Sequence, residues 1–180
     1  MTAPRILGVD PSLTALGLAL PDGTTTTLRT KLTGCDRLIW LRGKVIERAE
    51  VYGRSGVWDE VQAVAIEGYS MGSPGRGTHA HAIGELGGVL RVALHERSIP
   101  VVEVPPATLK VYATSRGNAA KNEVLVAAVN RLGYDGHDDN AADALWLRAV
   151  LLDALGHPVV SLPQTHRRAL AKLDLSTVQP

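Results

Sequence analysis

The stretch RILGVDPSLTALGLAL, Arg5–Leu20, decides the fold. Its first half, Arg5–Val9, is a β-type run closed by an acid, Asp10; its second half, Ala15–Leu20, is another apolar run. Both read as short buried strands. PDG at Pro21–Gly23 is a turn signal, and TTTTLRTKL (Thr24–Leu32) is rich in the β-branched residues that suit a third strand. Three strands with tight connections predict an antiparallel meander. An ionised carboxylate left unpaired at the end of a buried strand is costly. Asp10 therefore requires a compensating partner elsewhere in the chain.

Outward from this stretch, helical spacing and apolar runs alternate. Asp36–Tyr52 is predicted helical, with Leu38, Leu41, Val45, Ile46 and Ala49 on one face. Val61–Ile66 is a fourth strand, ending at Glu67. The Gly-rich GYSMGSPGRG that follows reads as a loop. Thr78–Glu96 resumes helical spacing, with small residues Ala80, Gly84, Gly87 and Gly88 on one side. Val101–Val104 is a fifth strand, stopped by Pro105 and Pro106. Helices are expected at Pro106–Ala113, at Ala119–Leu132 with Asn118 as N-cap, and at Asn140–Leu155. A meander followed by helix-separated strands means an α/β fold with a mixed sheet. The reading assigns residues 1–156 to one domain and 157–180 to a tail with one short helix.

Composition narrows the function. A chain of 180 residues with 45% hydrophobic and 21% charged residues is expected to form one globular domain. No apolar run approaches the ~20 residues that span a bilayer, and MTAPRILGVD lacks a signal-peptide layout. The single Cys35 excludes an internal disulfide framework and a Cys-based zinc site. A reducing, cytoplasmic setting is expected (the host cytoplasm for a phage-encoded chain). Net charge is only +1, but HRRALAKL (166–173) and the Lys110–Arg116–Lys121 region are locally basic.

Three acids stand out. Asp10 and Glu67 each close an apolar strand and are followed by a turn. Asp143 shares a helix face with Leu147 and Val150, near Asp139 and Asn140. An acid on such a face, close to another acid, is disfavoured by desolvation and by like-charge repulsion. A divalent cation removes both penalties. Mg²⁺ or Mn²⁺ prefers hard oxygen ligands and is held by a few carboxylates plus a substrate phosphate. Two such ions support phosphodiester hydrolysis.

Four segments in register carry a family likeness: ILGVDPSLTALGLAL (6–20), VAIEGYSMG with GRGTHAHAIGELGGVLRVAL (64–72 and 75–94), VPPATLKVYATSRGNAAKNEVLVAAV (104–129) and DDNAADALWL (138–147). Together they resemble the RuvC-type Holliday junction resolvases, and among these most nearly the phage-borne RuvC-like endonucleases. The resemblance covers about residues 5–155. It implies a ribonuclease H-like fold: a five-stranded mixed sheet, three strands antiparallel plus two parallel, flanked by helices. It also implies a homodimer that cuts branched DNA, namely four-way junctions and also three-way junctions, forks or flaps. The products would carry 5′ phosphates, and two Mg²⁺ or Mn²⁺ ions would serve each site.

In the family pattern the site acids are Asp10, Glu67 and Asp143. The fourth ligand is Asn140, three residues before the last acid, or its neighbour Asp139. A carboxylate offsets metal charge better, so Asp139 is favoured, although it could instead cap the helix. Lys110 and Lys121 match lysines near the scissile phosphate. Lys121 falls in a first helical turn, where free N–H groups already favour phosphate. Tyr69 could stack on an unpaired base, and Arg76 and Arg116 could meet phosphates. The alternatives are a related nuclease acting on RNA or flaps, and a non-catalytic junction binder of the same fold. The opening hairpin also resembles the phosphate-binding hairpin of actin-like ATPases, but the chain is too short for their two lobes.

Overall fold

A computed structural model describes residues 2–50, 61–68 and 77–178, with the backbone alone for 77–83. The loop residues Tyr69 and Arg76 lie outside the described residues. Five strands, β1 (Ile6–Asp10), β2 (Leu16–Ala19), β3 (Thr25–Leu28), β4 (Ala63–Glu67) and β5 (Val101–Val104), form one mixed sheet in the order β3-β2-β1-β4-β5. β1, β2 and β3 pair antiparallel, while β4 runs parallel to both β1 and β5. The helices are α1 (Gly34–Ala49), α2 (Gly77–His95), α3 (Pro106–Thr114), α4 (Lys121–Leu132), α5 (Asp139–Ala154) and α6 (Gln164–Arg167), the last continued by a 3-10 turn at Arg168–Lys172. Among the described residues no helix is long and apolar enough to cross a membrane.

Strand alternation makes the two faces of the sheet different. Leu7, Val9, Leu16, Leu18, Val64 and Ile66 pack with α1 and α2; Ile6, Ala19, Ala63 and Ala65 pack with α3, α4 and α5. Over β1, β2 and β4 the second face is largely of small residues, Gly8, Gly17, Ala19, Ala63 and Ala65 beside Ile6. A β-carbon on Gly8 would overlap the carbonyl oxygen of Ala144, and one on Gly17 would overlap that of Asn140. Glycine within a strand permits a close backbone approach, so α5 lies directly on β1 and β2. It is buried nearly all round, with Trp146, Leu147 and Val150 fully enclosed.

All five apolar positions expected of α1 are buried. β3 stops at Leu28, short of the predicted Leu32, and the next residue, Arg29, pairs with Asp138. Asn118 is not the cap of α4. The helix starts at Lys121, and the Glu123 carboxylate accepts the Ala120 N–H instead (2.7 Å). Gly87 is buried, whereas Gly88 borders open space, so the small residues of α2 do not form one outward stripe.

Residues 157–173 pack against α3 and α5. Leu162 and Ala169 join the core, and the buried His166 ring shares a hydrogen bond with the Tyr112 carbonyl (2.8 Å). Arg167 donates two bonds to the buried Asp153 carboxylate (3.1 and 2.8 Å), which also accepts from the Tyr112 hydroxyl (2.9 Å). Burial and the Asp153 charge push the Tyr112 hydroxyl up from its ordinary pKa, which keeps it a donor. Its ring meets Trp146 edge to face at 5.8 Å.

Candidate active site

The same alternation that makes a small-residue face also aims the acids. Asp10 follows Ile6 and Gly8 on the α5 side of β1; Glu67 follows Ala63 and Ala65 on the α5 side of β4. The two strands run parallel with Val9 opposite Ile66. Their next residues, Asp10 and Glu67, therefore leave the sheet together at its carboxyl edge. This is where open α/β sheets bind ligands. The first turn of α5, seated on Gly17 and Gly8, brings Asn140 and Asp143 to the same edge.

These residues line one cavity of about 430 Å³. Its walls include Asp10, Ser12, Glu67, Lys110, Lys121, Asn140 and Asp143. Asp10 is 6% exposed and hydrogen-bonded to Glu67. Burial, then the charges of Glu67 and Asp143, raise Asp10 well above the usual carboxylate range. Burial also raises Glu67, against the pull of Lys121. Asp143 is pushed up to about 7, chiefly by burial and secondarily by Glu67, with Lys121 opposing. Three acids are thus held where none ionises easily without added positive charge.

Lys121, the first residue of α4, donates to Asp139 (2.9 Å). Burial works against its charge, but the Asp139 bond and the nearby acids outweigh this and hold the ammonium above its ordinary pKa. Asp139 is therefore engaged with Lys121, and the residue of that pair lining the cavity is Asn140. The sequence-based preference was for Asp139; the cavity lining holds Asn140, with Asp139 beside it on Lys121. Nor does Asp139 cap α5. Asp138 does, accepting the N–H groups of Asn140 (3.0 Å) and Ala141 (3.2 Å). Although burial opposes it, the Arg29 and backbone bonds hold Asp138 below the usual range. The Tyr134 hydroxyl braces the same turn, donating to the Asp138 carbonyl (2.9 Å).

Arg116 stands apart from the cavity lining and pairs with Glu123. Ser12, Asp138 and Tyr134 escaped the sequence reading. The glycines within β1 and β2 were the available signal for a helix pressed against the sheet.

The donor set suits a hard divalent cation. Among the described residues no three Asp, Glu, His or Cys side chains are gathered closely enough to hold an ion by themselves. Mg²⁺ does not need one, since it keeps several waters and takes one or two carboxylates plus substrate phosphate. The carboxyls, raised by burial and, for Asp10 and Asp143, by neighbouring acids as well, are oxygen donors that such a cation would relieve.

A model of the family described as crossover junction endodeoxyribonuclease RuvC matches residues 6–151. The protein of that name from Nocardia farcinica is 31% identical over 94% of this chain and 95% of its own. That of Rhodococcus jostii is 28% identical over the same shares. Among solved structures, Thermus thermophilus RuvC aligns with a TM-score of 0.62 at 24% identity, covering 85% of this chain and 97% of that one. T. thermophilus RuvC in complex with Holliday junction substrate aligns with a TM-score of 0.64 at 24% identity, covering 86% and 97%. At this identity the solved structures speak for the ribonuclease H-like fold.

Proposed function

This chain belongs to the RuvC family of crossover junction endodeoxyribonucleases, and we propose that it is a divalent-metal-dependent endonuclease that resolves Holliday junctions and cuts other branched DNA. The single observation that carries this reading is the cavity where Asp10, Glu67 and Asp143 meet beside Lys110 and Lys121. An acid cluster flanked by lysines suits a phosphodiester, with carboxylates for the metal and cations for the phosphate.

Asp10, Glu67, Asn140 and Asp143 would hold the ions, two Mg²⁺ or Mn²⁺ per site. Asp139 is assigned instead to holding Lys121 at the mouth. Bound there, the metal supplies activation of water and neutralisation of charge at the leaving 3′ oxygen. Lys121, presented from a helix N-terminus, donates to the non-bridging phosphoryl oxygens as negative charge builds on them. Lys110, which also lines the cavity, adds positive charge. The products would carry 5′ phosphates.

A homodimer would present two such cavities to opposed strands. Gly88 and Val92, one turn apart on α2, are the surface offered for it: Gly88 borders open space and Val92 is 59% exposed. Tyr69 and Arg76 remain candidates for contact with the branch point.

The test is incubation of end-labelled four-way, three-way, flap and linear DNAs with the protein, with and without Mg²⁺. Symmetric nicking of the four-way junction only with metal is expected, and Asp10→Asn should abolish it while sparing junction binding. Equal cutting of linear duplex, or cutting in EDTA, would overturn the reading.

A further inference from the structure

We infer that the C-terminal segment carries a second phosphate-binding surface, made by Arg168 and Lys172 beside the Arg116–Glu123 pair, which takes the backbone of a duplex arm leaving the crossover. It rests on the DNA-cleaving reading above and extends it to a part of the chain beyond the region matched by the family model, which ends at residue 151.

Two spans of the sequence lack acids entirely, 104–122 and 154–173, and together they hold six of the chain's 19 Lys and Arg residues. A chain of net charge +1 is otherwise balanced. The fold brings these spans together. Arg168 donates to the Ser115 carbonyl (3.1 Å), where α3 ends in a left-handed turn with φ +66°. From Ser115 the chain passes through the exposed Arg116 directly to Lys121 at the cavity mouth. The acid nearest this path in sequence, Glu123, is engaged by Arg116 and by the Ala120 N–H.

The cations of the tail are divided by task. Arg167 is spent on anchoring, through its two bonds to buried Asp153. Arg168 and Lys172 are not needed for that. Both are exposed, while Ala169 between them is buried, so the 3-10 turn presents its charged side to solvent. A guanidinium has five donors, so the Ser115 bond leaves Arg168 further donors for a phosphate. Phosphate contacts position a duplex without reading its sequence, and a nuclease that recognises branch shape needs such contacts away from the cut.

The test measures binding of an immobile four-way junction in Ca²⁺, over a range of KCl, for the full chain and for Arg168→Gln, Lys172→Glu and the double variant. Lys172→Glu alters only an exposed side chain, so folding is not at stake; melting temperature verifies this for each protein. The double variant is expected to bind about tenfold or more weakly at 0.1 M salt and to flatten the log K against log[salt] slope by about two. Single-turnover cleavage at saturating DNA in Mg²⁺ should be unchanged, which separates this surface from the cavity. Unchanged affinity and slope in a folded Lys172→Glu protein would overturn it. If the unmodified protein shows no salt-dependent junction binding, the proposed function fails first and this surface with it.

Discussion

Gly8 of β1 lies directly beneath the carbonyl oxygen of Ala144 in α5, with no room for a β-carbon. Asp143, the neighbour of Ala144, owes its place at the cavity to that contact. Gly8→Ala must lift the helix or bend the strand. Overpacking of this kind costs about 1–3 kcal/mol, and the upper end applies because the obstacle is backbone. Thermal unfolding should show the loss. Junction cleavage by the folded fraction should fall further than Tm predicts, because Asp143 is displaced from Asp10.

The acid cluster gives the metal-free protein a defined pH dependence. Asp10, Glu67 and Asp143 all have folded-state pKa values above their ordinary ones, Asp143 at about 7. The fold therefore favours their protonated forms. That stabilisation is fully present below about pH 4 and is lost as pH rises through the folded values, up to about 7 for Asp143. The expected loss is of the order of a few kcal/mol, set against whatever other groups titrate in this range. Denaturant unfolding in EDTA between pH 4.5 and 8 measures it, and Asp143→Asn should flatten the profile. Adding Mg²⁺ should stabilise the protein most at the alkaline end.

Asn140 and Asp139 separate by role. Asn140 lines the cavity, so Asn140→Ala should raise the Mg²⁺ concentration needed for half-maximal cleavage. Asp139→Asn releases Lys121 without removing a cavity oxygen. It should leave the Mg²⁺ requirement in place and lower the single-turnover rate, by less than the ~10²–10³-fold expected for Lys121→Ala. Metal titrations of the three variants check this. A larger metal effect from Asp139→Asn would restore Asp139 as the ligand.

The Tyr112–Asp153–Arg167 cluster is a structural joint. Tyr112→Phe removes one donor from a carboxylate with no exposed side-chain surface and should cost about 1–2 kcal/mol. Arg167→Met should lower Tm by several degrees, since it leaves Asp153 buried with a single partner. Most of that loss should return in the triple variant Tyr112→Phe, Asp153→Leu, Arg167→Met, because an apolar core of similar volume can replace a buried ion pair.

Much of this site was legible in the sequence, for a physical reason. Asp10 and Glu67 are anomalous because each ends a buried strand, and a parallel register is enough to bring such residues together. The periodicity of α1 was legible because that helix has one wet side. α5 was harder. It is enclosed on nearly every side, so its pattern does not distinguish the face carrying Asp143. The choice among Asp138, Asp139 and Asn140 depended on a single turn, in which adjacent residues point about 100° apart. No spacing rule resolves that. Nor could composition show that the tail is anchored, since its anchor, Asp153, reads as an ordinary acid near a helix end.

The unequal faces of the sheet have a consequence for how this protein could change. On the α1 and α2 side, leucine, valine and isoleucine meet side chain to side chain, and exchanges among them can be absorbed by local shifts. On the α5 side, Gly8 and Gly17 meet main chain, which cannot yield. A random library selected for retained junction cutting should therefore drift freely at Leu7, Leu16 and Val64. It should return Gly8 and Gly17 unaltered, because the half of the core that looks emptiest has the least slack.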